Sequence, residues 1–85
     1  MAEYKILLKR TAVKELEKVP QIDLQRIFKR IETLKENPRP QGCEKLSARE
    51  RYRIRPGNYR IVYAVRDVDG CVHVFKIGQR RDVYQ

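Results

Sequence analysis

The chain is poor in the residues that mark several common protein classes. It has two cysteines, Cys43 and Cys71, far apart in the sequence, and a single histidine, His73. That excludes a dense disulfide framework and any CxxC or Cys/His metal set, and it predicts reduced thiols in a cytoplasmic protein. No run of about 18 apolar residues occurs, which excludes a membrane-spanning helix. The opening Met-Ala-Glu-Tyr-Lys-Ile-Leu-Leu-Lys-Arg holds too short an apolar stretch for a secretory signal. Repeats, linkers and low-complexity tracts are absent as well, so the 85 residues are expected to form one domain, 1–85, around one core. Acidic residues are scarce: 11 against 20 lysines and arginines, a formal net charge of +9.

What is present is a folding sequence with its charge concentrated. Hydrophobic residues make up 41% of the chain, too many for a disordered basic tail. Excess positive charge on a small domain points to a polyanionic partner, either nucleic acid or an acidic protein. Lys45, Arg49, Arg51, Arg53, Arg55 and Arg60 fall in one stretch whose only acid besides them is Glu50. Arginine outnumbers lysine twelve to eight, and its planar fork binds phosphate through two parallel hydrogen bonds. The bias favours phosphate contact over mere solubility.

Hydrophobic periodicity predicts the elements. Tyr4 to Lys9 reads as a strand with Tyr4, Ile6 and Leu8 on one face. Thr11 is a good N-cap for a short helix carrying Val13, Leu16 and Val19, which Pro20 stops. A second helix starts near Asp23, carries a stripe of Leu24, Ile27, Phe28, Ile31 and Leu34, and ends at Asn37-Pro38. Residues 37–50 read as a polar loop. The period then changes to two, over Tyr52 to Arg55, Tyr59 to Arg66 and Cys71 to Ile77, with turns at Pro56-Gly57-Asn58 and Asp67-Val68-Asp69-Gly70. The expected fold is α+β: a first strand, then a two-helix hairpin packed on one face of a small antiparallel sheet, in the order β-α-α-β-β-β.

Alternation along the predicted strands sets the charge on one face. If Ile54 and Ile61 point at the helices, Arg53, Arg55 and Arg60 stand together on the uncovered side. Such guanidinium groups repel one another unless an anion or an acidic side chain lies between them. Glu44, Glu50 and Asp82 are the acids within sequence reach. After the last strand, Gly78 permits a bend, and Arg80, Arg81 and Tyr84 follow, an aromatic beside cations that suits an unpaired base and its phosphates. His73, between Val72 and Val74, reads as a structural strand residue.

These motifs resemble the RelE/ParE toxin superfamily, on the RelE side, over nearly the whole chain. The resemblance is carried by Lys45-Leu46, Tyr52-Arg53-Ile54-Arg55, Gly57-Asn58-Tyr59-Arg60-Ile61-Val62-Tyr63 and Ile77-Gly78-Gln79-Arg80-Arg81-Asp82-Val83-Tyr84. It implies a cytoplasmic toxin of a type II toxin–antitoxin system that enters the ribosomal A site, cuts mRNA without a metal or other cofactor, and is held inactive by an acidic RelB-like antitoxin in a hetero-oligomer. By position it implies Arg53, Arg55, Arg60, Arg80 and Tyr84 as catalytic residues and Lys45, Arg49, Arg51 and Arg81 as RNA contacts. Where well-known RelE-type members have lysine, this chain has Arg53 and Arg55, which do not lose a proton and so imply charge stabilisation there. Gln79 stands where many relatives have histidine. Two other readings stay open: a ParE-like inhibitor of DNA gyrase, and a degenerate relative that only binds antitoxin or RNA.

Overall fold

Why these residues form these elements is clearest in the long helix. In the computed structural model, which describes residues 3–46 and 50–79, helix α2 spans Gln21–Glu36 and buries Ile27, Ile31 and Leu34 at i, i+4 and i+7. Pro20 takes the N-cap position, Asp23 lies in the first turn where the helix dipole favours a negative charge, and Asn37 before Pro38 ends the helix in an extended conformation. Helix α1 spans Arg10–Leu16 and buries Ala12 and Leu16. Five strands complete the fold: β1 Lys5–Leu8, β2 Glu44–Lys45, β3 Arg51–Ile54, β4 Tyr59–Arg66 and β5 Cys71–Gln79. Their order across the sheet is β1-β5-β4-β3-β2.

The α+β architecture and the helix-on-sheet packing agree with the sequence-based expectation, and the sheet refines it in two ways. The first strand joins the sheet in parallel with β5, Ile6 opposite Val72 and Leu8 opposite Val74, so the sheet is mixed. The expected polar loop contains β2, which pairs antiparallel with β3 at the edge, Glu44 opposite Arg53 and Lys45 opposite Tyr52. Two residues are too short a run to show a period in sequence. The turns fall where expected: Tyr59 donates to the Pro56 carbonyl at 3.1 Å and Gly70 to the Asp67 carbonyl at 3.2 Å. Gly57 and Gly70 sit at φ +63° and +65°, the left-handed region that a side chain resists.

One face of the sheet and the helices share the core. Ile54, Ile61, Tyr63, Val65, Val72, Val74 and Ile77 alternate inward and meet Ala12, Leu16, Ile27, Ile31 and Leu34. Full burial of each aliphatic side chain contributes roughly 1.5–3 kcal/mol. Several side chains depart from their predicted places: Leu8 and Val13, expected on the core-facing stripes, are 37% and 39% exposed, and Val19 lies beyond the end of α1. Phe28, expected in the α2 stripe, is 45% exposed, because the helix turns it past the edge of the apolar face. Thr11 does not cap α1, whose N-cap is Lys9 without a side-chain bond; its hydroxyl donates instead to the Phe75 carbonyl at 2.9 Å. Tertiary pairing with a sheet carbonyl replaces the local cap.

The segment between α2 and β2 is fastened at the end of the sheet near the Asp67–Gly70 turn. Arg39 donates to the Tyr52 hydroxyl (2.8 Å), Glu50 (2.8 Å) and Asp67 (2.8 Å), while the Tyr4 hydroxyl donates to Asp67 at 2.6 Å. Hydrogen bonds from Tyr52 and then Arg39 hold the Glu50 carboxyl below its usual range, and those from Arg39 and then Tyr4 do the same for Asp67. A carboxylate depressed in the folded state stabilises the fold fully above its unfolded pKa of about 4 and loses that contribution as pH falls through the folded value. Arg39→Ala is therefore expected to lower Tm at neutral pH by roughly 5–10 °C. The gap from the wild type should close as pH falls below about 4. Thermal melts of both proteins across that range check it; a gap independent of pH would assign the effect to packing on Tyr52 alone.

Candidate functional site

The face of the sheet away from the helices gathers the basic residues. Arg53 lies opposite Val62, and Arg60 lies opposite Gly78, each out of phase with the core pairs Ile54–Ile61 and Ile61–Ile77. Glu44 stands beside them, opposite Arg53 on the edge strand. Arg53 donates to one Glu44 oxygen at 2.9 Å, and Arg55 forms an ion pair with the other at 2.5 Å. Arg60 is only 3% exposed. The hydrogen bond from Arg53 comes first among the causes that hold the Glu44 carboxyl below its usual range, followed by the charges of Arg53, Arg55 and Arg60, with desolvation opposing them. The acidic side chain needed to keep three guanidinium groups together is thus Glu44. Among the described residues, Glu44 is the carboxylate on which these guanidinium charges act.

The local chain explains the placement. The Pro56–Tyr59 turn reverses direction within a few residues, so Arg55 and Arg60 flank the same bend and, with Gly57, Asn58 and Tyr59, line a cavity of about 240 Å³. A carboxylate held by two guanidiniums, one per oxygen, has the acceptor geometry of the two non-bridging oxygens of a phosphodiester. Phosphate would compete with Glu44 for those forks. Glu44→Gln is accordingly expected to raise affinity for inorganic phosphate severalfold, as read by calorimetric titration at low salt, where Coulombic effects are least screened. Unchanged affinity would show that phosphate does not use the Glu44 position.

The other candidate residues divide. Arg51 lies on the same open face, its guanidinium 4.5 Å from the Phe75 ring. Lys45 lies opposite Tyr52, hence on the helix-side face at the sheet edge, and pairs with Glu50 at 3.5 Å, so the structure does not bring it to the arginine cluster. Arg49, Arg80, Arg81 and Tyr84 lie outside the described residues. The described tyrosines are otherwise employed: Tyr52 and Tyr59 are buried, and Tyr63 is fully buried, stacks on Tyr52 and donates to the Pro38 carbonyl at 2.7 Å. Burial pushes the Tyr63 phenol well above its usual pKa. His73 is half-buried opposite Ala64 in the middle of β5. Sequence reasoning had Glu44 only as one of several acids near the arginines. Its position directly across from Arg53 needed the pairing of a two-residue strand.

Comparison with known proteins places the chain in a family. A family described as the ParE toxin of the type II toxin–antitoxin system parDE matches residues 6–84. The chain belongs to the RelE/ParE toxin family. A curated relative from Methanocaldococcus jannaschii, named "Putative toxin RelE1", is 30% identical over 98% of this chain and 97% of its own length. Among solved structures, the isolated RelE toxin of E. coli is similar with a TM-score of 0.81 and 27% identity, covering 95% of this chain and 90% of that one. The RelE chain type is also represented by the RelB–RelE antitoxin–toxin complex of Methanococcus jannaschii, with a TM-score of 0.73, 29% identity, and 92% and 94% coverage. In this member of the family, Arg53 and Arg55 meet on Glu44.

Proposed function

We propose that this toxin is a ribosome-dependent endoribonuclease that cuts mRNA in the A site and so arrests translation. The observation that carries the reading is the convergence of Arg53 and Arg55 on one carboxylate, with the charge of buried Arg60 beside it. RNA brings its own nucleophile: the 2′-OH gives its proton to water as its oxygen attacks the adjacent phosphorus in line, the bond from phosphorus to the 5′-oxygen breaks to leave a 2′,3′-cyclic phosphate, and the leaving oxygen takes a proton. The protein has to hold the phosphate, offset the negative charge gained in the transition state and supply that proton. Arg60 and Arg80 clamp the phosphate, Arg53 and Arg55 stabilise its charge, and Tyr84 is the proton donor. Arg49, Arg51 and Arg81 contact the flanking RNA, and Lys45 does so from the sheet edge. The chemistry asks for no cofactor. The whole chain, 1–85, acts as one domain in the cytoplasm, where ribosomes are, and no helix among the described residues is long and apolar enough to cross a membrane.

An acidic RelB-like antitoxin would complete a toxin–antitoxin hetero-oligomer by covering this basic surface. The groove between the end of α1 and the strand ends at Tyr59 of β4 and Gln79 of β5, a cavity of about 380 Å³ lined by Glu15, Lys18, Val19, Tyr59 and Ile77 among others, is a seat for one of its helices. Purified protein added to programmed ribosomes, followed by primer extension on the mRNA, tests the function: a cut that needs ribosomes supports it, and no cut ends it. A second reading, gyrase inhibition, is favoured by the ParE description of the matching family. Loss of supercoiling activity at stoichiometric protein, without RNA cleavage, would establish that reading instead. Binding of antitoxin or RNA with neither activity would mark a degenerate relative.

A further inference from the structure

The open face carries a second group of cations, built around a phenylalanine, at a distance from the Arg53–Arg55–Arg60 cluster. Opposite strand β4, the β5 register slips by one residue: Val62 faces Lys76, but Tyr63 faces Val74, so Phe75 is the extra residue of a bulge. A bulge re-aims its side chain, and here two successive residues, Phe75 and Lys76, turn from the core. The Thr11 hydroxyl satisfies the Phe75 carbonyl, and the Lys9 amide donates to the Val74 carbonyl at 2.9 Å. These bonds bring the Lys9 ammonium to 5.4 Å from the Phe75 ring centre, while the Arg51 guanidinium lies 4.5 Å from it. Arg51 reaches Phe75 from two strands away because the residue between them, opposite Arg51 on β4, is Ala64, too small to intervene. Lys9, Glu50, Arg51, Arg66, His73 and Phe75 line a shallow cavity of about 280 Å³, and the Glu50 carboxylate there is engaged by Arg39 and Tyr52.

Lys9 and Arg51 meet at the Phe75 ring. Among the described residues neither makes an ion pair, whereas Arg53 and Arg55 share Glu44, and Arg39 and Lys45 share Glu50. We propose that Lys9, Phe75 and Arg51 form a second RNA subsite, which stacks one base on the Arg51 guanidinium and holds its phosphate with Lys9. A guanidinium laid against an aromatic ring is fixed flat, and its outer face is a platform for a base. Arg51 and Arg55 are four residues apart on the same face, about 13 Å along an extended chain, so one strand of RNA can cross both sites. RNA is favoured over an acidic peptide because a peptide carboxylate has no use for a stacking plane, whereas every base has a flat face. The inference rests on the reading of this face as the RNA-cutting face.

The test compares two single-stranded RNAs on the full chain by fluorescence anisotropy: a trinucleotide, which fits the arginine cluster alone, and one of about 12 nucleotides, within the span of a single stacking groove. The wild type is expected to bind the longer RNA more tightly. Arg51→Ala should weaken the longer RNA about tenfold and leave the trinucleotide unchanged. Lys9→Ala, at an exposed position whose loss spares the fold, should reduce the slope of log affinity against log salt for the longer RNA by about one. Arg51→Lys keeps the charge without the plane and should recover only part of the loss. Equal affinity of the wild type for both RNAs, equal losses for both, or no loss would overturn the proposal. So would an Arg51→Ala variant that binds RNA normally but binds the antitoxin poorly. If the wild type fails to cut on ribosomes while the length-dependent loss persists, the cutting reading falls and the subsite stands.

Discussion

Arg60→Ala is expected to lower the rate of ribosome-dependent mRNA cleavage by roughly 10²–10³-fold, the usual cost of one group aimed at a developing negative charge. The physical reason is burial. A guanidinium only 3% exposed is poorly screened by water, so its attraction to the phosphorane is stronger than that of a surface lysine. Its field already reaches the cluster, since it contributes to the lowered pKa of Glu44. Arg60→Lys separates charge from geometry: it should restore part of the rate but not the fork that a phosphate uses. The readouts are single-turnover primer extension and a thermal melt on the same preparations. A folded Arg60→Ala protein that cuts at the wild-type rate removes Arg60 from the site.

Tyr84→Phe should reduce cleavage further, by about 10²–10⁴-fold, the range for a positioned general acid, with little change in ribosome binding. Two tyrosines of the sheet cannot stand in: Tyr63 is committed to the Pro38 carbonyl and Tyr52 to Glu50 and Arg39. A loss confined to the chemical step, with half-saturation by ribosomes unchanged, identifies a proton donor. A rise in half-saturation with the rate intact would make Tyr84 a stacking residue only.

How legible the site was depended on the range of the interaction. Arg53 and Arg55 alternate with Tyr52 and Ile54, and period two alone places them on one face. Arg60 joined them through a short turn whose glycine needs a positive φ, which is also local information. Glu44 was different. Its neighbours gave no alternation, and its contact with Arg53 spans a paired edge that only the folded sheet creates. Phe75 was missed for a related reason: the strand reads as regular, and the bulge that turns the ring outward is a property of its pairing with β4.

By itself, then, the sequence determined the helical stripe from Leu24 to Leu34, the hairpin turns, the helix-on-sheet class and the side of the meander on which the arginines stand. Tertiary structure decided the parallel docking of β1 on β5, the two-residue strand that carries Glu44 into the cluster, and the transfer of Thr11 from a cap to a sheet carbonyl. The division is physical. Periodicity and turn chemistry are written in neighbouring residues, whereas register, strand direction and the partner of a buried charge are set by which distant surfaces pack together.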